Sequence, residues 1–371
     1  MGVWPVILTI LICYVPVITV FAMMPYIGRR TLTFGVSIPS GRHSHDALRS
    51  LRKSFAVSIV VSGLAACAAT ALMFAFLGTN LAAGLTTALL FVYIIAVFAM
   101  YVRKNKQTKQ IKQDQGWQQT ARETNVADTR FSSAKRSVSA LWFLLYAVVI
   151  IGTLLAGILL YDQIPGRVPM QTDFEGNVTR MADKTYALVL FAPALQAFIT
   201  LLFGFIYWMM LRTPPVIDPE QPEASSRQNA VFRYRWSAFV VFGGVLLLLV
   251  FSCMQLGFAQ VLPRDAALYI PLVGAGLLVV AAIVLSITTG QSGSRVRVGK
   301  AVDGSVINRD DDKYWKWGSI YVNKDDPALF VEKRFGVGFT LNFGRKGAVA
   351  IGIGFLVFII AVIVVSAVLA G

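Results

Sequence analysis

Residues 236–258 read WSAFVVFGGVLLLLVFSCMQLGF, and no position in that stretch carries a charge. An α-helix rises about 1.5 Å per residue, so roughly 20 such residues cross a hydrocarbon core of about 30 Å. A soluble helix buries one stripe and turns charged residues to water, and this stretch has no charged face to turn. Seven further stretches read the same way: 3–24, 55–77, 84–102, 138–160, 186–210, 267–289 and 347–370. The pattern predicts an all-α polytopic membrane protein with about eight transmembrane helices. Hydrophobic residues make up 56% of the chain and charged residues 14%, which excludes a water-soluble surface over most of it.

The segments between the spans set an orientation. Lys and Arg number six in 25–54, none in 78–83, nine in 103–137, three in 161–185, four in 211–235, one in 259–266 and eleven in 290–346. Rich and poor loops alternate, and placing the rich ones inside puts 30 of the 34 basic residues in the cytoplasm. Both termini are then extracytoplasmic. The net charge of +15 follows from this topology, so no specific nucleic-acid partner is expected; the lipid bilayer is. Met1–Thr9 carries no charged side chain and Pro16 interrupts the apolar run that follows, so the start reads as a retained first helix rather than a signal peptide.

Five regions follow along the chain. Residues 1–160 form a four-helix membrane region with basic cytoplasmic loops, and 161–210 an outer loop with its helix. Residues 211–289 supply two further transmembrane helices, 290–346 a small cytoplasmic α+β or hairpin appendage, and 347–371 the last helix. Within the first region Thr31–Ile38 reads as a short strand and His45–Lys53 as a helix entering the second span. Loop 103–137, rich in Lys, Gln and Arg, lacks the apolar content to order itself. Loop 211–235, with TPPVIDPEQPEASS, reads as a flexible linker. Helix packing is expected through small residues, Ser62, Ala65, Ala66 and Ala69 in the second span, Gly274 and Ala275 in the seventh.

Chemistry-bearing constellations are sparse. No Asp, Glu, Lys, Arg or His falls inside a span, where an ionisable group persists chiefly for use. Gln196, after Pro193, and Gln255 are read as an intramembrane polar contact, with a ligand site between them as the alternative. His43 and His45 form an H-x-H pair without nearby cysteine, and Asp310, Asp311 and Asp312 form a solvated turn rather than an oxygen cage. Cys13, Cys67 and Cys253 lie in apolar runs and read as small hydrophobes. No nucleophile on the outer side has a histidine to activate it, so no enzyme, metal or cofactor is expected. The outer loop YDQIPGRVPMQTDFEGNVTRMADKT, 161–185, is rich in turn residues and reads as a structured, ligand-facing element. Its acids Asp162, Asp173, Glu175 and Asp183 read as solvated.

Two segments carry family resemblance. The outer loop, through Pro165, Val168, Pro169, Gly176 and Lys184, resembles the signature of the bacterial DUF1648 family over about 45 residues. That family usually has a histidine where this chain has Gln171, so the resemblance does not carry that histidine's role over to this chain. Tyr314–Phe343 resembles DUF5808 through Trp317, Gly318, Asn323, Asp326, Lys333, Gly336, Gly338 and Asn342. The resemblance implies a multi-pass protein of the bacterial cell membrane, distantly similar to Sdp-type proteins that confer immunity to a secreted peptide toxin and signal its presence. Three readings stay open: a non-enzymatic envelope protein sensing or neutralising an extracellular peptide, with a cytoplasmic regulator as partner; a permease or channel for a small solute; and a membrane enzyme on envelope substrates.

Overall fold

The computed structural model describes residues 4–29, 31–117, 137–172, 178–215, 222–296 and 312–370. Among these, seven helices are long and apolar enough to cross a membrane. The eighth expected span lies in one further helix, α10, Lys346–Ala370. The chain is a multi-pass membrane protein, and its residues gather into two compact units.

The first unit comprises 1–134, 213–232 and 285–361. Helix α1 (Trp4–Thr9) passes through a π-helical turn, Ile10–Tyr14, into α2 (Val15–Ile27), and α3 (Asp46–Phe76) and α4 (Thr79–Asp114) follow. The buried stripe of α3 is Phe55, Ile59, Gly63, Ala66, Thr70 and Phe74, recurring every three to four residues as a helix face must. Of the small residues expected to pack, Ala66 lies on it, whereas Ala65 is exposed and Ser62 bonds back to the Ser58 carbonyl at 2.7 Å. The close approach occurs at Gly63, where a Cβ would stand 2.5 Å from Ile18 of α2. Thr70 donates to the Tyr14 hydroxyl at 3.2 Å, which in turn donates to the Thr86 carbonyl at 3.3 Å, so both hydroxyl groups are paired inside this interior.

Three expectations are corrected in this unit. The single strand over 31–38 is a hairpin, β1 (Leu32–Thr33) against β2 (Val36–Ser37), turned by Phe34 and Gly35 at positive φ. Loop 103–137 is ordered at its start: α4 continues to Asp114, burying Asn105, Thr108 and Lys112, because Asn105 and Lys112 have partners in the β1–β2 hairpin. Residues 118–136 lie outside the described residues. Within 211–235 the linker is replaced from Pro222 onward by helix α7 (Pro222–Ala238), proline taking the first helical position, where its missing N–H costs nothing. The appendage before α10 is built from two-strand sheets, β5 (Trp315–Lys316) with β6 (Ile320–Tyr321) and β7 (Phe330–Glu332) with β8 (Phe339–Leu341). An isolated bridge links Tyr321 to Asn342.

The second unit comprises 135–212, 233–284 and 362–371. Its helices are α5 (Leu144–Leu159), α6 (Tyr186–Arg212), α8 (Gly244–Phe258), reached from α7 through a π turn at Phe239–Gly243, and α9 (Arg264–Thr289). Helices α5, α6 and α8 pack mutually around Tyr146, Ile199 and Leu248, and Tyr146 donates to the Val240 carbonyl at 2.8 Å, one of the carbonyls loosened by the π turn. Gly274 of α9 meets Val250, as its small size requires, while Ala275 is exposed. Between α5 and α6 the chain forms a β-hairpin, β3 (Arg167–Thr172) against β4 (Val178–Asp183).

Candidate functional site

The β3–β4 hairpin stands over the ends of α5, α6 and α8. Alternation along a strand sends Val168 to one face, where it is buried with Ile164, Leu188, Val189, Phe258 and Ala259. The opposite face carries Arg167, Pro169, Met181 and Asp183, all exposed. Arg167 and Asp183 pair at 3.2 Å, but both side chains are about three-quarters exposed, 75% and 77%, so the pair contributes little. At the hairpin base Tyr161 and Tyr186 stack with centroids 4.6 Å apart and planes 4° from parallel, and the Lys184 ammonium sits 4.4 Å over the Tyr161 ring. Lys184 thus has a definite place, and its backbone N–H donates to the Gly166 carbonyl at 2.9 Å. Pro165 is half-buried at the entry to β3. Gln171 pairs with Arg180 in the backbone ladder, past an irregularity after Pro169. Gly176, with Asp173 and Glu175, lies outside the described residues.

The register decides which edge of this hairpin is open. Gly166 and Lys184 exchange a hydrogen bond, so antiparallel alternation makes Val168 and Ala182 the next bonded pair and turns the backbone of Arg167, Pro169, Met181 and Asp183 outward. Pro169 has no N–H, and the β3 edge is blunted there. The β4 edge keeps its outward donors and acceptors at Met181 and Asp183, the arrangement by which an extended peptide adds a strand.

Beneath the hairpin lies the polar layer expected from Gln196 and Gln255. The Gln196 amide nitrogen is within 3.0 Å of the Thr153 hydroxyl, 2.9 Å of the Leu248 carbonyl and 3.0 Å of the Ser252 hydroxyl, and the two hydroxyls are 2.6 Å apart. Gln196 is therefore an interhelical contact joining α5, α6 and α8. Gln255 does not take part as expected. It is 2% exposed, and among the described residues neither its amide nitrogen nor its amide oxygen has a partner; the Gln196 Oε1 is also unpaired. An amide buried without partners costs about 1–3 kcal/mol. Thr153 and Ser252 were not legible as members, although Thr153 and Gly157 fall four apart on one helix face and Ser252 and Gln255 three apart on another.

Most of the motif residues of the appendage make contacts within its own fold or its unit. Asn342, fully buried, donates to the carbonyls of Asn323, Asp326 and Ala328 and accepts from the N–H groups of Asn323 and Gly344. Asp326 accepts from the Ala328 N–H and from the Tyr321 hydroxyl, closing the turn at the D-P step. Gly318, at φ 69°, brings its carbonyl to the Tyr101 hydroxyl at 3.1 Å. Gly338 exchanges two hydrogen bonds with the Gln291 side chain, and Gly336 packs against Met24. Trp317 and Lys333 are exposed. Sequence reasoning missed the charges that fasten this unit. Asp312, outwardly part of an acidic run, is held by Lys112 and Arg334 and by the Ser37 N–H, and Glu332 is buried with Arg29, Ser292 and Asn229. Burial alone would raise the Asp312 carboxyl; the neighbouring cations outweigh it and hold the group below its ordinary value.

Comparison with known proteins gives two matches. Residues 148–197 match a domain of unknown function (DUF1648), and residues 324–349 match a family of unknown function (DUF5808). The first spans most of α5, the hairpin and the first half of α6 through Gln196; the second begins after Trp317, Gly318 and Asn323. No curated protein and no solved structure matches the chain.

Proposed function

We propose that this chain is a non-enzymatic protein of the bacterial cell membrane, with both termini outside, that binds an extracellular peptide at the β3–β4 hairpin. The observation that carries the reading is the β4 edge at Met181 and Asp183, left open while Pro169 closes the other. A hairpin anchored by Val168 and by the Tyr161–Lys184 stack offers a rigid strand template with little ordering cost on binding. The basic loops, placed inside, leave the appendage 312–345 available to a cytoplasmic regulator, and immunity or sensing is the role this arrangement serves.

The test compares cells lacking the protein, cells producing it, and cells producing Met181→Pro, challenged with a panel of secreted peptide toxins. Met181 faces outward in the ladder, so proline there spares the hairpin and removes the edge donor. Protection by the wild type and its loss in Met181→Pro, with equal membrane insertion, supports the reading. Protection by neither, or by both equally, counts against it.

A further inference from the structure

The buried amide of Gln255 needs an account, and its surroundings supply one. Gln255 lies one helical turn from Ser252 on α8, against Gly157 of α5 and Val189 of α6: a Cβ at Gly157 would stand 2.5 Å from the Gln255 amide nitrogen and 2.6 Å from Val189. The absence of a side chain at Gly157 is what leaves room for the amide. Pro193 has no N–H, so the Val189 carbonyl four residues before it lacks its helical donor. Further along α6, the Gln196 Oε1 is unpaired while the rest of that amide is fully engaged. The Val189 carbonyl and the Gln196 Oε1, about two turns apart on one face of α6, and the unpaired Gln255 amide on α8 therefore lie in a buried region that, among the described residues, carries no charged side chain.

From this geometry we infer a binding site for a small uncharged solute that carries N–H or O–H donors together with an acceptor. A donor is needed to meet the Gln196 Oε1 and the Val189 carbonyl, and an acceptor to meet the Gln255 nitrogen. Among the described residues of α5, α6 and α8 there is no carboxylate to balance a divalent cation, and the one basic group, Arg212, stands at the far end of α6. Water is the smallest member of the class, and a primary amide or polyol the next. The hydroxyls of Thr153 and Ser252 form the floor through their contact with Gln196. This site is independent of the β4 edge.

The full chain in lipid nanodiscs is melted as wild type and as Gln255→Met, which keeps length and flexibility but removes hydrogen bonding. A paired amide predicts a midpoint lower by about 2–4 °C or more in the variant. A midpoint equal to or above the wild type means the amide has no partner and overturns the inference. Gln255→Asn, the milder change, must also melt below wild type. Acetamide and glycerol, each titrated against sucrose at equal osmolality, separate the sources. A rise in the wild-type midpoint that Gln255→Met lacks assigns an organic solute, and a lowered variant with no such rise assigns water.

Discussion

Lys112 at the end of α4 and Asp312 at the start of the appendage, two hundred positions apart in the chain, meet at 2.7 Å with their side chains 8% and 16% exposed. Arg334 approaches the same carboxylate and lies 5.0 Å over the Trp315 ring, and Ser37 adds a backbone N–H from the β1–β2 hairpin at 3.0 Å. One carboxylate thus ties three distant segments of the first unit together.

Replacing that carboxylate leaves two cations without their counter-charge. Asp312→Asn should destabilise the appendage by about 3–5 kcal/mol, the cost of breaking a buried pair rather than of never having it. Limited proteolysis of the purified chain reads this as faster cleavage within 312–345; cleavage at the wild-type rate would refute the assignment.

The same group sets an acid limit. Its folded value lies below the ordinary 3.8, so its stabilisation is present above that value and is lost as pH falls through the depressed one. Protection of the appendage should therefore persist at pH 5 and fall away only below about pH 4. In Asp312→Asn this component of the acid transition should be missing, as a pH series of proteolysis rates can check.

Asn342 is the hub of the appendage turn. Asn342→Leu leaves the Asn323 and Gly344 N–H groups and three carbonyls without their side-chain partner, and a loss of at least about 2–3 kcal/mol is expected. Asn342→Asp should fail to rescue, because an oxygen replaces the nitrogen that faces those carbonyls. Expression level and proteolysis of both variants decide the matter.

Gly318 is required by backbone and by space. Its φ is 69°, and an added Cβ would stand 2.5 Å from the Asn105 amide nitrogen and 2.8 Å from the Phe34 carbonyl. Gly318→Ala should cost about 1–3 kcal/mol and loosen the Tyr101 bond to this turn. Gly41→Ala, with nothing within 4 Å of its Cβ position, is the control and should be near neutral.

The Arg167–Asp183 pair makes the opposite prediction. Arg167→Ala should change stability by no more than about 0.5 kcal/mol, because water screens both charges on the open face of the hairpin. A larger fall in melting midpoint would mean that this face is covered in the folded protein.

The amino-acid sequence by itself determined the apolar spans, because whether a helix suits lipid depends on some 20 contiguous residues and on nothing distant from them. That the outer loop 161–185 is structured and that 290–346 contains strands was legible from turn residues and β-branched runs for the same local reason, whereas the strand pairing within 161–185 and 31–38 was not. Tertiary structure alone decided that Lys112 is buried rather than a solvated member of a basic loop, that Gly63 rather than Ser62 meets α2, and that the Gln196 amide nitrogen is engaged while the Gln255 amide is not. Each of these depends on which distant segment returns to which helix face, and a side chain's neighbours across such a return leave no pattern in the residues beside it.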